Sequence, residues 1–190
     1  MESSKKEGGI VQLVVVLGLI TLFCALLLGV INGMTADKIV QNNIDKRNTA
    51  MEEIIPGAAF EDLNTIVPAP DKDTPEISGV YKATIDGDAV GYCLEVKPKG
   101  FGGALTLIVG IRADGTVAGA KVTAHGETPG LGAKSQDAEW IAQYVGQPAD
   151  GSIAVNKDGG SINAITGATI TSRAVTKGVN TAASYVAMLG

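Results

Sequence analysis

The most constraining feature of the chain is the long stretch from Ile10 to Ile31, which carries no charge and whose most polar side chains are Gln12 and Thr21. As an α-helix it would be roughly 33 Å long, about the thickness of a bilayer's hydrocarbon core. It is apolar on every side, so no amphipathic packing on a soluble core accounts for it. The stretch predicts a transmembrane helix. A cleaved leader fits less well, because the run exceeds a typical leader core. Asn32-Gly33-Met34-Thr35 also offers no Ala-x-Ala cleavage site.

Flanking charge does not orient this helix. Lys5 and Lys6 precede it, and Lys38, Lys46 and Arg47 follow it. Residues 1–9 read as a cytoplasmic tail of signal-anchor type, with 10–31 in the membrane and lipid as its surroundings. The sequence has 15 basic and 20 acidic residues. Setting aside Lys5, Lys6, Glu2 and Glu7 leaves 13 basic and 18 acidic after Ile31, a net −5. Such a surface argues against nucleic acid and has no basic stripe for anionic lipid. Cys24 lies in the apolar run and Cys93 in a strand-like segment. Neither a disulfide framework nor a metal-ligand spacing is therefore present, nor a Cys-x-x-Cys-His haem site.

Residues 32–76 read as a connector. Ala36, Ile39/Val40, Ile44, Met51 and Ile54/Ile55 recur with helical spacing over 35–55. The helix continues the apolar run, interrupted, if anywhere, at Asn32-Gly33, and Pro56-Gly57 ends it. Residues 56–76, rich in Pro, Asp and Thr, read as irregular. The remaining 77–190 read as an α+β domain, an antiparallel sheet with packed helices. Residues 79–85 and 89–96 alternate around Asp86-Gly87-Asp88, and 104–112 and 116–123 around Asp114-Gly115. That pattern predicts two hairpins. A short helix is expected over 138–145, with Trp140, and a further strand over 152–155. A final helix should bury the stripe Val175, Val179, Ala182, Val186 and Leu189.

Two stretches carry chemistry. Asn163-Ala164-Ile165-Thr166-Gly167-Ala168-Thr169-Ile170-Thr171-Ser172 sets hydroxyls among residues with almost no side chain. Thr169 can therefore be approached closely. Thr171 or Ser172 is expected to cap the next helix, whose N-terminus would favour a phosphate. Taken alone, the stretch is also an ordinary loop-to-helix junction. The second stretch is Glu127-Thr128-Pro129-Gly130-Leu131-Gly132, a Gly/Pro loop that backbone amides can bring close to a ring system. His125, the sole histidine, has no second ligand nearby and reads as a strand-end residue. Phe101, among Gly100, Gly102 and Gly103, suits equally a cofactor wall and a bulge between hairpins.

Together, and in this order, the two stretches resemble the covalent FMN sites of two related membrane proteins. These are the G subunit of the Rnf/Rsx electron transport complex and the C subunit of the sodium-translocating NADH:quinone oxidoreductase. The resemblance runs from the membrane helix to the last helix, and the short length favours the G subunit. It implies one FMN joined through its phosphate to Thr169, with Thr166, Gly167, Ala168, Thr171, Glu127, Thr128, Gly130, Leu131 and Gly132 around it. Leu131 would then cover a ring face, and Glu127 and Thr128 would bond to the polar edge of the ring or to the ribityl chain. It also implies an extracytoplasmic domain at the cytoplasmic membrane, attachment by a flavin transferase, and a complex of integral membrane and iron–sulfur or flavin subunits. The expected function is electron relay in an ion-translocating ferredoxin:NAD+ oxidoreductase. The alternatives are the C subunit, a stand-alone extracellular flavin shuttle, and a flavin-free, membrane-anchored binding module.

Overall fold

A computed structural model describes residues 3–71 and 73–189 of the chain. The chain divides into two compact units, one ending at Asp45 and the other beginning at Lys46. The first unit is helical, part of α1 (Ser3–Ile54). Its apolar side chains from Ile10 to Ile31 are all exposed, and by length and composition this helix is able to cross a membrane. No break occurs at Asn32-Gly33. A glycine within a helix costs only about 1 kcal/mol relative to alanine, which does not interrupt a helix supported on both sides.

In the second unit, five antiparallel strands run in sheet order β1 (Ala59–Asp62), β2 (Glu76–Ile85), β3 (Asp88–Lys97), β4 (Thr106–Arg112) and β5 (Val117–Ala124). The first hairpin closes on Asp86 and Gly87, both at positive φ. A two-residue type I′ loop requires that pair of conformations. The second hairpin turns at Asp114-Gly115, where the Asp114 carboxylate accepts from both the N–H and the hydroxyl of Thr116. Alternation then sorts side chains between two faces. Val80, Leu94, Val96, Leu107, Val109 and Ile111 face α3 (Thr169–Leu189), joining Val175, Val179 and Ala182. Tyr81, Cys93, Ile108 and Ala118 face the end of α1, joining Ala50, Met51 and Ile55. Gly110 permits that second contact, since a Cβ there would lie 2.3 Å from Ile54 Cγ2. With both faces covered, β4 is buried almost along its whole length.

Four expectations need correction. Residues 59–62 form β1, an exposed edge strand that pairs Ala59–Asp62 with Tyr81–Thr84 through main-chain bonds and so leaves no apolar alternation to read. Residues 152–155 are not a strand. Asp150 turns the chain by accepting from the Ser152 N–H and hydroxyl, and Val155 makes one isolated parallel bridge to Ile162. The expected helix over 138–145 is α2 (Ala138–Ile141) continued by a 3-10 turn, Ala142–Tyr144. In α3, Val175, Val179 and Ala182 are fully buried, Val186 is half-buried and Leu189 is exposed, because the last turn extends past the sheet.

Candidate functional site

The site is assembled from three segments that lie outside the sheet. The first enters α3. Residues Ile165–Ala168 form a turn closed by the Ala168 N–H donating to the Ile165 carbonyl at 2.9 Å. Gly167 sits at positive φ. The third place of a type II turn demands that conformation. Ser172 fastens this turn to the helix. Its Oγ accepts from the Ile165 N–H at 2.9 Å and donates to the Ala168 carbonyl at 3.0 Å. Upstream, the Trp140 indole N–H donates to the Asn163 carbonyl at 2.7 Å, and Gln143 Oε1 accepts from the Asn163 N–H at 2.8 Å. The Ala164 N–H donates to Asn156 Oδ1 at 3.2 Å. Farther along α3, Arg173 grips Asp158 with two nitrogens at 2.8 and 2.5 Å, and the guanidinium holds that carboxyl below its ordinary range.

This arrangement corrects the expected cap. Helix α3 begins at Thr169, so Thr171 and Ser172 sit in its first turn, both buried. Ser172 serves the preceding turn and Thr171 points to Glu127; neither hydroxyl satisfies the helix's own first N–H groups. The first helical bond is Ser172 N–H to Ala168 C=O at 3.0 Å. Among the described residues, the N–H groups of Thr169, Ile170 and Thr171 meet no acceptor, and neither does the half-buried Thr169 hydroxyl. Unsatisfied N–H groups and the positive end of the helix dipole favour an anion here.

The second segment follows β5. The Glu127 N–H donates to His125 Nδ1 at 3.1 Å, so the histidine serves a turn. The Thr128 carbonyl accepts from the N–H groups of Leu131 and Ala133, each at 3.2 Å, closing the loop around Gly130. The Glu127 side chain, 6% exposed, points inward. The third segment is the glycine loop between β3 and β4, drawn tight by the Gly100 N–H bond to the Gly103 carbonyl at 2.8 Å. Its backbone lies close against the second segment: a Cβ on Gly102 would lie 2.1 Å from the Gly126 carbonyl oxygen.

Between the three lies a cavity of about 390 Å³. Gly167, Ala168 and Thr169 line it from the first segment, and Glu127, Thr128, Leu131 and Gly132 from the second. Thr171 lies behind this wall, while Thr166 and Gly130 are exposed and outside the lining. Phe101, which the sequence left between wall and bulge, is in the lining and 72% exposed. Ile170 also lines the cavity and was not anticipated; as the residue after Thr169 in the first turn of α3, it was open to notice. Phe101, Ile170 and Leu131 thus give the cavity an apolar, solvent-facing rim. An apolar-walled cavity beside an anion-favouring helix start and a free hydroxyl suits a flat aromatic group carrying a phosphate.

Comparison with known proteins agrees with this chemistry. Residues 100–184 match the family described as FMN-binding domain. The G subunit of the ion-translocating oxidoreductase complex of Vibrio atlanticus is 36% identical, over 84% of this chain and 82% of that protein. The G subunit of the Na(+)-translocating ferredoxin:NAD(+) oxidoreductase complex of Acetobacterium woodii is 36% identical, over 89% of this chain and 87% of that one. Among solved structures, the C subunit of the Na(+)-translocating NADH-quinone reductase of Parabacteroides distasonis superposes with a TM-score of 0.50 at 30% identity. That match covers 60% of this chain and 63% of the other, so the chain spans somewhat under two thirds of that relative. With such identity across more than four fifths of both partners, and an FMN-binding domain inside the matched region, this chain belongs to the G-subunit family of the ion-translocating oxidoreductase complexes.

Proposed function

We propose that the chain is the membrane-anchored flavoprotein subunit of an ion-translocating oxidoreductase complex, relaying electrons through one FMN held covalently by Thr169. The observation that carries this reading is the start of α3. There a hydroxyl without a protein partner and three N–H groups without acceptors open on an apolar-rimmed cavity. A phosphoester on the Thr169 oxygen lies beside those N–H groups, which together with the helix dipole stabilise its charge. Leu131, Ile170 and Phe101 supply apolar surface for the rings. FMN, when bound, takes up and gives back electrons; the protein's part is to hold it, orient it and set its surroundings.

Of the two related complexes, the one with the G subunit is favoured. Relatives of that name are 36% identical and align over 82% and 87% of their own length. A ferredoxin:NAD(+) couple, as named for the Acetobacterium woodii relative, is the matching overall reaction. Partners are then the other subunits of that complex, and a flavin transferase acts during maturation. A flavin-free binding module has no need of an unpartnered hydroxyl at an anion-favouring helix start.

The decisive experiment is intact mass of the denatured protein purified from its membranes. The expected mass is that of the chain plus one FMN less one water. The adduct should lie on the peptide containing Thr169 and vanish in Thr169→Ala. A flavin that leaves on denaturation, or an adduct on Thr166 or Thr171, refutes the attachment.

We further propose that 10–31 span the cytoplasmic membrane and residues 32–190 lie outside the cytoplasm. A tether there keeps a cofactor that no cytosolic pool could replace. Protease added to spheroplasts should digest the domain; digestion in inverted vesicles alone reverses the orientation.

A further inference from the structure

Glu127 occupies a slot that the fold builds for a carboxylate. Its Oε1 accepts from the Gly102 N–H at 2.9 Å, and its Oε2 accepts from the Thr171 hydroxyl at 2.7 Å. Each oxygen therefore has a protein partner, which the sequence did not anticipate, while Glu127 remains in the cavity lining. The slot has no spare room. A Cβ on Gly100 would lie 2.3 Å from Oε1, and one on Gly132 2.3 Å from Oε2 and 2.7 Å from the Thr171 hydroxyl. One buried side chain thus joins all three cavity segments: the glycine loop, the loop it belongs to, and the first turn of α3 two residues beyond Thr169.

We infer that Glu127 is a positioning residue for flavin attachment, which holds the cavity in register with the Thr169 hydroxyl before any flavin arrives. This rests on the proposal that Thr169 carries FMN. The role follows from placement. The glycine loop meets its neighbours through backbone, with no side chain of its own to anchor it, and Phe101 rides on that loop. Without the carboxylate, the Gly102 N–H and the Thr171 hydroxyl lose their shared acceptor, and the loop carrying Phe101 is no longer tied to the helix carrying Thr169. A buried donor left without a partner is unfavourable, so the segments part and water enters between them.

The role is geometric, and the isosteric amide separates geometry from charge. In Glu127→Gln the amide oxygen accepts from the Gly102 N–H while the NH2 donates to the Thr171 oxygen, so both ties survive. In Glu127→Ala both are lost. Thr171→Ser keeps its tie, and Thr171→Val removes one.

Each variant is made in the full chain, expressed with its natural maturation machinery and purified from membranes. Two quantities are read: the fraction of chains carrying the FMN adduct, by intact mass, and hydrogen exchange at the Gly102 amide in a Thr169→Ala background, where no flavin is attached. The expected result is at least a tenfold fall in adduct fraction for Glu127→Ala and a clear fall for Thr171→Val. Glu127→Gln and Thr171→Ser should stay within about twofold of the parent. Gly102 exchange should rise at least tenfold in Glu127→Ala even without flavin. Should Glu127→Ala not fold, the Gln variant and the Thr171 pair decide the matter alone. Full occupancy in Thr171→Val, or equal loss in Glu127→Gln and Glu127→Ala, overturns the inference. A parent protein without adduct overturns the proposed function instead, and the exchange measurement still tests the tie.

Discussion

The sheet and the cavity walls are adjacent parts of one unit, yet they are held together in opposite ways. In β2–β5, consecutive residues pair with a neighbouring strand, and apolar side chains fill both faces. Order there is distributed over many equivalent contacts. The three cavity segments have few such contacts, and single side chains set their positions: Ser172 for the turn before α3, Trp140 and Gln143 for Asn163, Glu127 for the glycine loop. The difference teaches where function is vulnerable. Removing a sheet side chain should lower the stability of the whole unit. Removing a wall side chain should cost less stability while disordering the place where Thr169 is proposed to carry its cofactor.

The strongest test of this contrast lies in the core. Leu107 is fully buried between β4 and α3. Leu107→Ala should therefore lower unfolding free energy by about 2–5 kcal/mol. While the unit remains folded, the proposed adduct on Thr169 should be retained. A denaturant melt of the purified protein beside its intact mass measures both, and loss of adduct from still-folded protein would erase the contrast. Ser172→Ala should cost less, about 1–3 kcal/mol, because a buried donor loses its acceptor. That donor is the Ile165 N–H, in the turn before α3. The variant should nevertheless lower adduct occupancy more than Leu107→Ala does.

A comparable effect is expected at Gly167. Its φ is positive, and a new Cβ there would lie only 3.1 Å from Leu131 Cδ2. Gly167→Ala should cost about 1–3 kcal/mol in backbone strain, the lower figure if Leu131 yields. The measurement is the same melt, and an unchanged midpoint would show that the turn relaxes freely. Leu131→Ala should change stability least, by no more than an ordinary surface substitution does. Its side chain is 43% exposed. The expected effect is on the flavin, as a midpoint potential shifted by greater access of water to the rings. An unshifted potential would make Leu131 a turn residue only. At the far extreme is Cys93, buried in β3 on the α1 side, where burial pushes the thiol up to about 12. It should stay unalkylated at pH 8 in the folded protein and react once the sheet is unfolded.

What could be read in advance follows the same division. Period-two alternation with Asp-Gly turns, an unbroken apolar run and a stripe at helical spacing are local signals, and from them the two hairpins, the helix through Ile10–Ile31 and the buried part of α3 were legible. β1 was not, because Phe60, Glu61 and Asp62 owe their strand to main-chain bonds with β2, and such bonds leave no mark in side-chain pattern. Residues 152–155 misled for the converse reason: their apolar side chains fit a strand, but the Asp150 turn and the lack of a neighbouring strand give them a different task.

For the site, the chain alone determined the ingredients. A threonine set among small residues and a Gly/Pro loop bearing an acid are properties of short segments, and they pointed to Thr169 and to residues 127–132. Tertiary structure decided what each does. It started α3 at Thr169 rather than after it, turned Ser172 back to its preceding turn, brought Ile170 and Phe101 to the rim, and buried Glu127 as a tie between backbone and hydroxyl. The physical reason is distance along the chain. Glu127 meets partners 25 residues before it and 44 residues after it, and their meeting depends on how the sheet and α3 pack.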